Sequence, residues 1–418
     1  MRRVTTSFRG RRGRIAAALA VLGPGLIAAN AGNDAGGIAT YASVGARYGY
    51  DLIWMMVVIT VSLVVVQEMA ARMGLVTGKG LADLVREEYG IRWALFATGS
   101  VLVANLGICI SEFVGIGAAL GLAHVPVPVS VPIGAAAVWL LLVRGTYRLA
   151  QRIFVAMTIP FFAYPIAAIL AQPHWGAVGK AIIVPHIHLT SAYAILFIAT
   201  VGTTITPFMQ LYLQSAVVER GLGPEDLSKE RAEVITGSIF ANLVAVFIII
   251  ATAATLYVHG HRTVNSAADA AQALEPFAGR FAEVLFAVGL LGASLLAAAV
   301  LPVTAAYVIS ETFGFERGIS RSPREAPVFV GVVTALVVIG AVVAMVPGIP
   351  VFRLLVGVQA VNGVLLPVTL FFVWRLSASK ELMGRHRNGP IFNVLAGATV
   401  LVTSALSLIL LAVTLTGA

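Results

Sequence analysis

The residues best suited to chemistry are acids and amides set inside long apolar segments. Asp34 stands in Asn30-Ala31-Gly32-Asn33-Asp34-Ala35-Gly36-Gly37, which interrupts an apolar stretch running from 15 to 43. An ionised carboxylate at the centre of a bilayer costs roughly 2.5–3.5 kcal/mol on insertion scales. No Lys or Arg is expected at that depth, so a bound cation is the natural partner. The plainer alternative is a carboxylic acid kept neutral and hydrogen-bonded to backbone. A second interruption, Gly202-Thr203-Thr204-Ile205-Thr206-Pro207-Phe208-Met209-Gln210, lies in another apolar stretch. Gly and Pro leave backbone groups unpaired, which lipid cannot satisfy, so such breaks survive where they line a cavity. The freed carbonyls around Ala31, Gly32 and Thr203 to Thr206 can then serve as oxygen ligands to a cation held by Asp34.

Other polar residues join these two. Glu112 lies deep in a span with only Asn105, Cys109 and Ser111 near it in sequence. It reads equally as a proton acceptor, a second cation contact or a structural acid. With Asn33 it forms the pair of gating or proton-relay candidates. Gln359 and Asn362 can lend oxygen to a cation or bridge water, although a lone buried amide is more often helix glue. Gln210, at the end of the second interruption, completes the candidate ligand set. Glu68 and Arg72 are four residues apart, the helical spacing of a structural ion pair. Of the seven His, none falls at mid-membrane depth, and the His186/His188 spacing on a loop is a weak metal signal. No Gly-rich phosphate loop, nucleophile–base pair or zinc motif occurs. Nothing points to an enzyme or to a resident cofactor.

These side chains need long helices to position them. The 418 residues are 59% hydrophobic and 11% charged, less than half the usual charged share of a soluble domain. The apolar runs are continuous and do not alternate, which predicts membrane-spanning helices rather than barrel strands. Eleven spans are predicted, near 15–43, 51–71, 95–122, 128–143, 153–171, 190–217, 233–257, 281–312, 328–346, 351–374 and 391–416. With residues 1–14 as a basic cytoplasmic N-terminus, all but five of the 28 Lys and Arg fall inside, the outer five being Arg47, Lys180, Arg262, Arg280 and Arg353. That asymmetry is the positive-inside rule, and it explains the net charge of +9 without nucleic acid. The first apolar run lacks a clean cleavage site and is expected to be a retained helix. Cys109 is the single cysteine, so no disulfide forms within the chain. The longest hydrophilic stretch, near 258–280 with Asn265, Asp269 and Glu275, is expected to be an external loop. The whole chain, 1–418, is therefore expected to be one multi-pass cell-membrane domain. Its two broken spans stand five apart, the mark of an inverted repeat (spans 1–5 and 6–10) with a site near the midplane.

Several of these stretches resemble the Nramp divalent-metal transporters. Gly23-Pro24-Gly25-Leu26 through Asp34-Ala35-Gly36-Gly37-Ile38-Ala39-Thr40 is similar to that family's first helix. Ala70 to Lys79, Ile110-Ser111-Glu112-Phe113-Val114-Gly115 and Leu211-Tyr212-Leu213-Gln214-Ser215 follow in collinear order. The resemblance implies an all-α, LeuT-like fold with an eleventh span added. It also implies transition-metal import, commonly proton-coupled, with the metal ion as cargo.

The departures bear on selectivity. The family's first break reads Asp-Pro-Gly-Asn, with Asp and Asn on the metal; here Asp34 is kept and Gly37 stands where the Asn would be. Its second break reads Met-Pro-His; here, around Pro207, Thr206 replaces the Met and Phe208 the His, while Met209 returns a thioether to the site if the register slips. The family's span-3 proton-relay Asp falls at Cys109, Glu112 is retained, and Gln359 matches the family's Gln. Sulfur favours softer ions, whereas oxygen and water suit Mg²⁺, which keeps much of its hydration shell. Gly37 and Thr206 are thus expected to enlarge the site and leave oxygen donors, as in the Nramp-related magnesium transporter branch. The expected cargo is Mg²⁺ with Mn²⁺ second; the alternative is a cation-coupled carrier of a small organic solute on the same fold.

Overall fold

The computed structural model describes residues 32–144, 153, 156, 159–319 and 321–416. The first half of the first predicted span and four residues of the fifth (154, 155, 157 and 158) lie outside them. Among the described residues, nine helices are long and apolar enough to cross a membrane. In chain order the principal helices are α1 (Ala35–Tyr48), α2 (Ile53–Thr77), α3 (Leu81–Tyr89), α4 (Ile91–Gly121), α5 (Val127–Arg144), α6 (Ala163–Leu170), α7 (Trp175–Ile183), α8 (Ser191–Thr204), α9 (Pro207–Glu219), α10 (Leu227–Thr252), α11 (Ala282–Phe313), α12 (Pro327–Ala344), α13 (Val351–Ala378) and α14 (Pro390–Thr416).

Both interruptions coincide with helix termini that backbone chemistry sets. Asp34 is extended (ψ −178°) and caps the N-terminus of α1. The sixth span splits into α8 and α9 around Ile205 and Thr206, with Pro207 at the first position of α9. Proline has no N–H to continue α8 and holds the preceding residue extended, and Thr206 is extended accordingly (ψ 144°).

Three departures from the predicted layout have local causes. The seventh span starts six residues early, at Leu227, because its acids are paired: Glu230 and Glu233 face Arg220 at 3.5 and 3.9 Å. Leu81–Tyr89, between the second and third predicted spans, is a short helix that buries Leu81, Ala82, Leu84 and Val85. The stretch 258–280 contains a helical turn, Ala267–Ala271, begun by a reciprocal capping box between Ser266 and Asp269.

Lipid offers little hydrophobic reward for helix association, so close packing of small residues must hold α8 to α13. A methyl on Gly202 would lie 2.2 Å from the Gln359 carbonyl oxygen and 2.4 Å from the Gly363 nitrogen. Backbone cannot retreat as a flexible side chain can. Gly202→Ala is therefore expected to cost about 1–3 kcal/mol and to lower the melting temperature of the purified protein. A substitution at Gly176, which faces open space, is the control and should leave it unchanged.

In the second half of α2, Glu68 ties three elements together. One carboxylate oxygen faces Arg72 Nη2 at 3.0 Å and the other Arg231 Nη2 at 2.6 Å. Arg72 also donates to the Asn388 side chain at 2.7 Å and to the His386 carbonyl. The expected Glu68–Arg72 pair is present, extended to α10 and to the segment before α14. Close by, Glu311 accepts from Ser215 Oγ at 2.6 Å and from the Ala82 N–H at 3.3 Å, joining α11 to α9 and α3.

Candidate functional site

The site is built where α1 begins. Asp34 Oδ1 accepts the Gly37 N–H at 2.5 Å, and Gln359 Nε2 of α13 lies 3.0 Å from both Asp34 oxygens. Glu112 Oε2 of α4 accepts the Ala35 N–H at 3.1 Å, and its other oxygen accepts from Ser111 Oγ at 3.2 Å. Asp34, Glu112 and Gln359 are fully buried. Two carboxylates thus share one helix N-terminus, where the unpaired N–H groups and the helix dipole favour negative charge. These are backbone bonds of the kind the plainer reading of Asp34 requires. They do not exhaust it, since a carboxylate has about four lone-pair sites and three contacts are made here.

The two broken spans meet at the same place. Thr203 Oγ1 of α8 donates to the Gly32 carbonyl at 3.2 Å, and Tyr41 of α1 bonds Thr204 Oγ1 at 2.9 Å. Asn362, one helical turn after Gln359, donates to Gln359 Oε1 at 3.3 Å and to the Gly202 carbonyl at 3.1 Å. Thr206 Oγ1 is buried and has no hydrogen-bond partner among the described residues. The Ala31 carbonyl lies outside the described residues.

The structure gives several of the expected ligands other contacts. Gly37 does not widen the site. The Gly32 carbonyl oxygen and Thr203 Oγ1 stand 2.5 and 2.9 Å from where its Cβ would be, and its amide donates to Asp34, which a cation ligand cannot do. Asn33 turns away from Glu112: its amide donates to the Ala241 carbonyl of α10 at 3.0 Å. Gln210 folds back on its own first turn, where its terminal amide faces the carbonyls of Thr206 and Pro207 at 2.5 and 3.0 Å, so the nitrogen is assigned to that side. Met209 brings its sulfur to Gln67 Nε2 of α2, at 3.7 Å. Cys109, at the relay position, donates to the Leu336 carbonyl of α12 at 3.5 Å. Asp34, Thr203, Gln359 and, through Ala35, Glu112 are brought together.

One contributor escaped the sequence reading. Gly36 lets α13 approach, since a Cβ there would lie 2.2 Å from Gln359 Nε2. The only advance signal was the run of small residues after Asp34. Asn105, seven residues before Glu112 in α4, is fully buried with both amide atoms unpartnered among the described residues. No three His, Cys, Asp or Glu side chains cluster among the described residues. An ion at Asp34 would therefore be held by carboxylate, amide, hydroxyl and carbonyl oxygens, a donor set for hard cations.

Comparison with known proteins agrees with this architecture. A sequence model described as natural resistance-associated macrophage protein-like (Nramp) matches residues 25–413. A divalent metal cation transporter MntH from Ralstonia nicotianae is 30% identical over 413 residues, covering 92% of this chain and 89% of that protein. Another, from Deinococcus radiodurans, is 28% identical over 410 residues, covering 93% and 88%. The crystal structure of an Eremococcus coleocola manganese transporter superposes with a TM-score of 0.77 at 21% identity, covering 97% of this chain and 88% of that one. The more distant MhsT, solved with L-phenylalanine, gives 0.60 at 11% identity, covering 93% and 97%. On the match across nearly its whole length, the chain belongs to the Nramp family and has the LeuT-like fold.

Proposed function

We propose that this protein carries divalent metal cations through a site at Asp34, Mg²⁺ in preference and Mn²⁺ second, by alternating access around the two broken spans. The observation that carries the reading is a buried carboxylate at a helix break whose neighbours Thr203 and the Gly32 carbonyl offer oxygen and no sulfur, with Gln359 able to offer its oxygen once its amide is turned over. The relatives named as divalent metal cation transporters and as a manganese transporter support the cation class. Mn²⁺ accepts the same oxygen ligands as Mg²⁺. The preference for Mg²⁺ rests on Thr206, whose buried hydroxyl replaces the thioether expected beside Pro207. The distribution of Lys and Arg supports a cytoplasmic N-terminus.

The test is uptake into proteoliposomes at a fixed negative-inside potential. Mg²⁺ and Mn²⁺ should compete for one saturable route, and small organic solutes should neither enter nor alter it. Thr206→Met should raise the Cd²⁺ to Mg²⁺ uptake ratio about tenfold, the effect of a ligand change worth about 1.4 kcal/mol. An unchanged ratio would show that residue 206 does not reach the ion.

A further inference from the structure

One cavity among the helices that build the site carries the wrong charge for a cation. Of the five basic residues assigned to the outer face, three, Arg47, Arg262 and Arg353, line this cavity of about 370 Å³. They come from α1, from the loop after α10, and from α13. No Asp or Glu is among the described residues lining it. None of the three makes an ion pair among the described residues. Three guanidiniums facing one concavity repel each other and any approaching cation. Topology requires positive charge to be scarce on this face, so topology does not explain their convergence.

The Arg262 guanidinium is arranged to donate. Arg262 lies over the Tyr257 ring with its carbon 3.4 Å from the centroid, and Arg47 lies 5.8 Å from the Tyr48 centroid. Stacking occupies the flat face of a guanidinium and leaves its in-plane N–H fork free, the geometry that matches two oxygens of an oxyanion. The rim loop is fixed, because Asp269 spends its carboxylate on the N–H groups of Asn265 and Ser266 at 2.9 and 3.2 Å. Thr263 and Asn265 bring further polar groups to the lining. The walls are α1, α8 and α13, the helices that also present Asp34, Thr203 and Gln359. Gly357 in the wall precedes Gln359 by two residues, about 3 Å of helical rise.

We propose that this vestibule binds a small multivalent oxyanion of the phosphate or sulfate class, seated between Arg262 and Arg353, and that the bound anion cancels their field so that a divalent cation can reach Asp34. The second half of this statement rests on the proposed function; the first does not. Binding is tested on the purified full chain in detergent without metal, by equilibrium dialysis of radiolabelled inorganic phosphate. Wild type should bind it saturably. The double variant Arg262→Gln/Arg353→Gln should bind about tenfold or more weakly, having lost two charge-assisted forks. Lys180→Gln, an exposed basic residue outside the cavity lining, should bind as wild type does. No saturable binding, or equal binding in the double variant, overturns the site. The consequence is tested in proteoliposomes at buffered free Mn²⁺, with external chloride replaced by sulfate. The half-saturating Mn²⁺ concentration should fall in wild type and stay constant in the double variant. A wild-type value indifferent to sulfate overturns the charge-cancelling role. Loss of all Mn²⁺ uptake would instead defeat the transport reading and leave the dialysis result standing.

Discussion

Asp34→Asn is expected to abolish saturable divalent-cation uptake while leaving the protein folded. The asparagine side chain has nearly the shape of aspartate, and its carbonyl oxygen can still accept from the Gly37 N–H and from Gln359 Nε2, the two partners of the native carboxylate. What it lacks is the charge. Removing one partner of a buried charge pair costs about 3–5 kcal/mol, which corresponds to a loss of roughly two to three and a half decades in cation affinity. Asp34→Ala should lose as much, but it also leaves two buried donors unsatisfied at about 1–3 kcal/mol each, so a lower melting temperature accompanies it. Uptake of Mn²⁺ and Mg²⁺ by both variants, read beside their melting curves, checks the argument. A well-folded Asp34→Asn protein with wild-type uptake would remove the site from Asp34.

The second large effect is the independence of transport from protons. A coupled proton needs titratable groups that communicate with the cation site. At the family's histidine position stands Phe208, fully buried. At its aspartate position stands Cys109, engaged with Leu336. Glu112 remains, one N–H away from Asp34, but it is held by Ala35 and Ser111. Influx does not require it. A negative-inside potential contributes about 2.3 kcal/mol per charge per 100 mV. For two charges that is about 4.6 kcal/mol, enough for roughly thousandfold accumulation. Proteoliposomes with an internal pH dye and a clamped potential should therefore show cation uptake without stoichiometric acidification. Acidification that tracks Mn²⁺ influx and disappears in Asp34→Asn would defeat this and make Glu112 the proton acceptor.

What could be read from the sequence followed from what lipid forbids. A broken helix in hydrocarbon must find partners for its backbone, so the runs around Asp34 and Pro207 announced both interruptions. The helices that frame them, α8, α9 and α13 among them, begin and end within a few residues of their predicted bounds. What could not be read was set by contacts across long sequence separations. The space beside Gly37 is filled by Gly32 and by Thr203 of another helix. Met209 and Asn33 contact α2 and α10, partners that a uniformly apolar sequence does not encode. The short helix Leu81–Tyr89 does carry an amphipathic pattern, with Leu81, Leu84 and Val85 inside and Glu87 and Glu88 outside, but nine residues are too few for periodicity alone to separate helix from loop.

The amides around Asp34 form a directional chain: Asn362 gives a proton to the Gly202 carbonyl and to Gln359, and Gln359 gives its own to Asp34. A cation on the Asp34 oxygens needs the oxygen of Gln359, not its nitrogen. Turning that amide over presents nitrogen to Asn362, which must turn in its own right and offer Oδ1, an atom with no partner in the present arrangement. The Gly202 carbonyl, in the last turn of α8, then loses its donor. Polarity along two side chains would thus reverse as a unit, and the occupancy of the carboxylate would be transmitted to the end of the sixth span without any helix having first to move.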